Sequence, residues 1–330
     1  MRQFEKHPSP LTARRPAVAA ATLAAVAAAA LLTGCGSRVT GAAGTPAPSG
    51  GAGPCGVALP SPTRGQDPSV LARDGARITA LNTACAEYEV TNPGTEPSDV
   101  TVRFSRPASW GTGAETVSRT VEALAPGATA KGRLDLTAPG RAEPDPARTV
   151  KILRVRSVPT AEAPRPDGPC PASGLRLYAD EGDAAMGLRV LGLHLRNCGT
   201  ATVNLDGYPT LQLLDPEHRP VDGVRLLPGG AAIATGTGAD DPPQKIALRP
   251  GEGARATLVW RNTTGDGAPV DVPYVRVRAT PDAPPVTVTP ELDLGTTGRL
   301  GIGAWAREAD TPRPPATTPP GQAPLPGQSG

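Results

Sequence analysis

Past its first 35 residues this chain nowhere keeps a helical periodicity for three turns, a short piece near Leu71 excepted. What it keeps instead is the period of two. Val100-Thr101-Val102-Arg103-Phe104 alternates apolar and polar side chains, and Leu191, Leu193 and Leu195 point one way while Gly192, His194 and Arg196 point the other. Alternation of this kind is the mark of a half-buried strand. Tyr88-Glu89-Val90, Leu134-Asp135-Leu136 and Val150 to Val158 read as further strands. So do Leu211-Gln212-Leu213, Leu258-Val259-Trp260, Tyr274-Val275-Arg276-Val277 and Val286-Thr287-Val288. Turn signals cut them short at Asn92-Pro93-Gly94, Leu227-Pro228-Gly229 and Pro250-Gly251. Many short strands between Gly/Pro turns predict an all-β chain built as antiparallel, immunoglobulin-like β-sandwiches.

The first 35 residues have a different character. Arg2, Lys6, Arg14 and Arg15 precede a sixteen-residue apolar run, Ala17 to Leu32, built almost wholly of Ala, Val and Leu. Such a run is shorter than the roughly 20 residues of a spanning helix but suits a signal peptide. It ends in Leu32-Thr33-Gly34-Cys35, which resembles the bacterial lipobox. That resemblance implies cleavage after Gly34 and a diacylglycerol on the Cys35 thiol, a palmitate-type anchor on the extracytoplasmic face of the cell membrane. Two acyl chains anchor stably where one is marginal. Arg14-Arg15 leaves the choice between general and twin-arginine export open.

Loss of residues 1–34 removes four basic residues and one acidic, so 33 and 31 become 29 and 30, and the net +2 belongs to the leader. The remaining chain has no basic stripe of the kind a nucleic-acid binder carries. Its bias to Arg, Ala, Gly and Pro fits an actinobacterial source.

Composition then divides the chain. Residues 35–54 are a Gly/Ala/Pro/Ser linker that cannot bury enough apolar surface to fold. Residues 55–160 form a first sandwich, 161–168 a short linker, 169–307 a second sandwich, and 308–330 a Pro-rich disordered tail. The two stretches share a pattern. Glu89 to Thr95 and Leu195 to Thr200 each end a strand in an Asn-x-Gly-Thr turn. Leu124-Ala125-Pro126-Gly127 and Leu248-Arg249-Pro250-Gly251 each open a later strand.

With Cys35 assigned to lipid, Cys55, Cys85, Cys170 and Cys198 remain, and four cysteines allow three pairings. Cys55–Cys85 with Cys170–Cys198 keeps each bridge inside one domain, and both would join a first strand region to the end of a following strand. An exported chain permits such bridges. Cys85 shares its strand face with Glu87 and Glu89, so its bridge is expected at the periphery or beside a bulge.

The second stretch also carries Cys170-Pro171, Leu193 to Thr200, Asn204-Leu205-Asp206-Gly207-Tyr208-Pro209, Leu211 to Asp215 and Leu248 to Gly251. Over roughly residues 170–290 it resembles the actinobacterial domain-of-unknown-function 4232 family. The Leu-x-Gly-Tyr-Pro stretch is the most specific part. A cysteine common in the family just before it is absent near Val203, and Cys198 stands earlier. The resemblance implies an extracellular β-sandwich and brings no activity with it.

No nucleophile elbow, zinc-binding helix or phosphate loop is present. No catalytic, metal or cofactor residues are nominated. His194 and His218 read as surface residues, and Asp180-Glu181-Gly182-Asp183 and Asp240-Asp241 as solvated loops. Tyr208 reads as a side chain covering the core, with exposure as a ligand anchor the rival. The expected function is a non-catalytic module that binds an envelope protein, peptide or glycan. The alternative is a secreted hydrolase working through loop carboxylates.

Overall fold

The computed structural model describes residues 53–56, 58–59, 71–108, 113–136 and 150–308. Cys35, the leader 1–34, almost all of the linker 35–54 and the tail beyond 308 lie outside the described residues.

The first half contains β1 (Ala72–Arg73), β2 (Ala76–Leu81), β3 (Cys85–Thr91), β4 (Ser98–Pro107), β5 (Ala114–Leu124), β6 (Thr129–Asp135) and β7 (Lys151–Pro159). The piece near Leu71, the one helical exception in the sequence, is instead the turn into β1, because the chain there joins β2 in an antiparallel pair. One sheet runs β1-β2-β3-β6 and another β5-β4-β7. Apolar residues at alternate positions, such as Ile78, Tyr88 and Val90 on one sheet and Val100, Val102 and Phe104 on the other, meet in a single core. Tyr88 and Phe104 cross it with ring centroids 4.9 Å apart. Gly132 lies under the Tyr88 ring, where any Cβ would overlap it.

A 3-10 turn, Thr160–Glu162, leads to the second half. Its strands are β8 (Leu175–Ala179), β9 (Asp183–Ala185), β10 (Leu188–Asn197), β11 (Val203–Asp206), β12 (Thr210–Leu214), β13 (Arg225–Pro228) and β14 (Lys245–Leu248). They continue with β15 (Gly253–Arg261), β16 (Asp271–Val272), β17 (Tyr274–Arg278), β18 (Val286–Val288), β19 (Leu292–Asp293), β20 (Arg299–Ile302) and β21 (Ala306–Arg307). The large sheet runs β13-β20-β15-β10-β8, with β9 and β21 added at its flanks. A second sheet, β12-β17-β18, and the pairs β11–β14 and β16–β19 complete the half. Leu191, Leu193 and Leu195 face Leu213, Val275 and Val277 across the core. The described residues are thus all-β, and all strand pairs are antiparallel except β13–β20, which is parallel over four residues. That exception is a long-range pairing that no local alternation announces.

Both expected disulfides form, Cys55–Cys85 and Cys170–Cys198. Their placements differ, however. Cys198 follows the end of β10, whereas Cys85 opens β3 rather than ending a strand. It packs with Cys55 and Ala80 in a satellite cluster behind the main core, beside the bulge in β2 between Ile78 and Ala80. Glu87 and Glu89 on the same strand face are half-buried, while Cys85 at the first position is fully buried.

The two Asn turns repeat one another bond for bond. Asn92 and Asn197 are fully buried, and each amide Nδ2 donates to two carbonyls: Glu96 and Leu124 in the first half, Ala201 and Leu248 in the second. Each Oδ1 accepts from the glycine two residues on, Gly94 or Gly199. Each backbone carbonyl accepts from the glycine of the Leu-x-Pro-Gly turn, Gly127 or Gly251. Both glycines hold positive φ, 68° and 85°, which the turn needs and glycine supplies without strain.

No strand pair joins the halves among the described residues, yet side chains do. Val158 and Ala163 cluster with Leu214 and Tyr274, and the Tyr274 hydroxyl accepts from the Ser157 N–H at 3.2 Å. The Glu162 carboxylate takes both a bidentate pair from Arg276 and the Thr287 hydroxyl. Arg156 holds Glu291 bidentately at 2.6 and 2.8 Å. The segment 161–168 is therefore fastened along part of its length.

Candidate functional site

The outer face of the large sheet carries a connected polar assembly. Register sets it up: Tyr178 on β8, His194 on β10 and Arg255 on β15 lie in one row, with Arg176, Arg196 and Gly253 in the next. Alternation, which aims Leu193 and Leu195 into the core, aims these residues outward.

Tyr178 stacks on the His194 ring, centroids 5.1 Å apart and planes 11° from parallel. The His194 Nδ1 stands 2.5 Å from Glu308 Oε1 and Nε2 stands 3.2 Å from Asp180 Oδ2. Asp180 Oδ1 accepts the N–H of Gly192 at 2.8 Å and of Gly182 at 3.0 Å. Arg255 reaches Asp180 Oδ2 at 3.4 Å. Burial alone would raise the Asp180 pKa, but the two amides and His194 outweigh it and hold the carboxyl below its ordinary value.

Two glycines make room for the carboxylates. A Cβ at Gly192 would overlap the Asp180 carboxylate and the Arg255 guanidinium, and one at Gly253 would overlap the Glu308 carboxylate. Mid-strand glycines cost stability, so both positions bring the chain a return only in the close approach they permit. A groove of about 1160 Å³ runs along this face past Arg176, Tyr178, His194, Arg196, Arg255 and Glu308.

The sequence-nominated residues distribute as follows. His194 lies on the outward strand face as its parity requires, but it is only 19% exposed at the side chain, because tyrosine and two carboxylates enclose it. His218 lies half-buried at φ 63° in the turn after Asp215, against the Tyr274 ring at 4.3 Å, far in sequence from His194 and outside its groove. Of the acidic loops, Asp180 is drawn into the site, while Glu181 and Asp183 stay exposed and Asp240 accepts the amides of Gly236 and Thr237. Tyr208 is half-buried against the core between a positive-φ Gly207 and a buried Pro209, and the Gly207 carbonyl receives the Trp305 N–H. Glu308, Gly192 and Gly253 escaped sequence reasoning. Gly192 and Gly253 had one local signal, a glycine on an outward strand position; Glu308 had none, since it meets His194 from 114 residues away. Among the described residues, no group of three or more His, Cys, Asp or Glu is arranged to hold a metal ion.

Residues 170–306 match the family model described as "Domain of unknown function (DUF4232)". The matched segment extends past the Leu-x-Gly-Tyr-Pro stretch to Trp305, which is buried in the core and donates its indole N–H to the Ala279 carbonyl. No curated protein and no solved structure matches this chain.

Proposed function

We infer that this chain is a lipid-anchored extracytoplasmic lipoprotein of an actinobacterial envelope, and that its two tandem immunoglobulin-like sandwiches form a non-catalytic binding module. The groove over His194 is its contact surface, and an envelope protein, peptide or glycan is the partner. The observation that carries this reading is the occupancy of the imidazole. Both nitrogens of His194 are engaged by Asp180 and Glu308, which hold the ring as a fixed part of the groove wall. What faces the groove is a fixed pattern of guanidinium, carboxylate and aromatic groups, which suits recognition. The Leu32-Thr33-Gly34-Cys35 motif supplies the tether, and the two disulfides suit the oxidising side of a membrane. The matched turns of Asn92 and Asn197 favour an origin of the two domains by duplication.

Two measurements test the proposal. Cys35→Ser should abolish palmitate incorporation and leave an uncleaved or shed protein; labelling that persists removes the anchor. Arg196→Glu should lose the partner that the wild-type protein captures from its native envelope, while Arg119→Glu, outside the groove, keeps it. The hydrolase alternative replaces this reading if muropeptide, glycan or ester substrates turn over and turnover vanishes in Asp180→Asn or Glu308→Gln.

A further inference from the structure

Beside the His194 groove, the first half presents an arrangement that its own stability disfavours. Arg103 on β4 and Arg154 on β7 stand directly opposite one another in register, with Arg156 the next outward residue along β7. Like charges directly across an antiparallel pair are destabilising. The carboxylates that answer them are few. Glu291 is shared by Arg154, at 3.2 Å, and Arg156. Glu181 lies 4.0 Å from Arg103 and is 96% exposed. Burial lowers the Arg154 pKa; Glu291 opposes this, and Arg156, Arg103 and Arg73 add to it. Three guanidiniums, Arg103, Arg154 and Arg156, thus face two carboxylates, Glu291 and Glu181, an excess of one positive charge. Asp180, on the opposite wall, is already matched by Arg255 and His194.

The space beside these residues is a cleft of about 340 Å³ between the two halves, with the Thr101 and Ser118 hydroxyl groups on one wall and Pro290 and Glu291 on the other. The Arg103 Nε is buried there without a hydrogen-bond partner, and an unmet buried donor costs free energy until something accepts from it. Glu291 reaches the cleft from a left-handed backbone, φ 56°, a conformation that non-glycine residues adopt at a cost and that recurs at ligand sites.

We propose that the cleft between Arg103 and Arg154 binds the phosphate group of a small solute. Guanidinium forks match phosphate oxygens bidentately, an anion answers the excess positive charge, and Ser118 on the same wall offers a hydroxyl donor for a remaining oxygen. The volume admits a small molecule and no more. The proposal does not rest on the tether or on a partner in the His194 groove, although Tyr178 borders both spaces.

The test is calorimetric and thermal titration of the full-length protein with inorganic phosphate, with chloride holding ionic strength constant. Wild-type protein is expected to bind saturably and to melt at a higher temperature in phosphate. Arg103→Gln should weaken binding by about tenfold or more without lowering the ligand-free melting temperature, because it removes a like-charge contact. Arg103→Lys, which keeps the charge and loses the fork, should weaken it severalfold, and Arg196→Gln in the other groove should leave it unchanged. Phosphate that acts no differently from chloride overturns the proposal, as does Arg103→Gln binding at wild-type strength. Acetate binding as tightly as phosphate would assign the cleft to carboxylates and overturn it equally.

Discussion

Asp180 shows how one side chain couples loop, strand and site. Its two oxygens accept from Gly182, Gly192 and His194 and meet Arg255, so its charged form is favoured in the folded protein and its pKa is depressed. A depressed carboxylate pKa contributes stability that is complete above the unfolded value, about 3.9 for Asp, and is lost as pH falls through the folded value. The folded protein should therefore lose stability below about pH 4, with a shallower slope in Asp180→Asn than in wild type. Urea unfolding from pH 6 down to pH 2.5 checks this, and parallel slopes would mean that Asp180 titrates as it does in the unfolded chain. Of this residue's role, the sequence displayed only an acidic loop, because its partners on β10 and β15 become neighbours only once the sheet has paired.

At the scale of elements, the Asn turns were the most legible feature. Asn-x-Gly-Thr and Leu-x-Pro-Gly are local signals with local causes, a side chain that bonds its own turn and glycines that take positive φ. The sequence did not reveal that the two turns clasp each other across 30 or more residues through one buried amide. Removing that amide strands the buried Leu124 or Leu248 carbonyl, at about 1–3 kcal/mol if left unsatisfied, and loses two part-buried bonds that water can replace. Asn92→Ala and Asn197→Ala should each lower stability by about 2–3 kcal/mol in urea unfolding of the full-length chain. If one of them is neutral, the turns are alike in sequence and not in mechanism.

At the scale of the molecule, the halves are joined by a small apolar cluster and by two carboxylates, Glu162 and Glu291, that reach arginines of the other half. Exposed ion pairs contribute little, but these are partly buried and hydrogen-bonded on several sides. The described halves lie in one compact unit. Relaxation measurements by NMR should give both halves the same rotational correlation time, and Glu162→Ala combined with Glu291→Ala should separate the two values while each half keeps its fold. Identical tumbling in the double variant would leave Val158, Ala163, Leu214 and Tyr274 as a sufficient joint.

The sequence by itself determined the all-β class, the parity of the core strands, the turn chemistry and the cysteine pairing, because each is written in residues close along the chain or forced by a choice among three. The tertiary structure alone decided the rest. His194 meets Glu308 from 114 residues away and Arg156 meets Glu291 from 135. The parallel pairing of β13 with β20, the facing of Arg103 and Arg154, and the glycines that admit Asp180 and Glu308 likewise depend on which strands become neighbours and in what register. A pattern of period two fixes which way a side chain points. It carries no information about what stands opposite, and the chemistry of both grooves lies in that opposition.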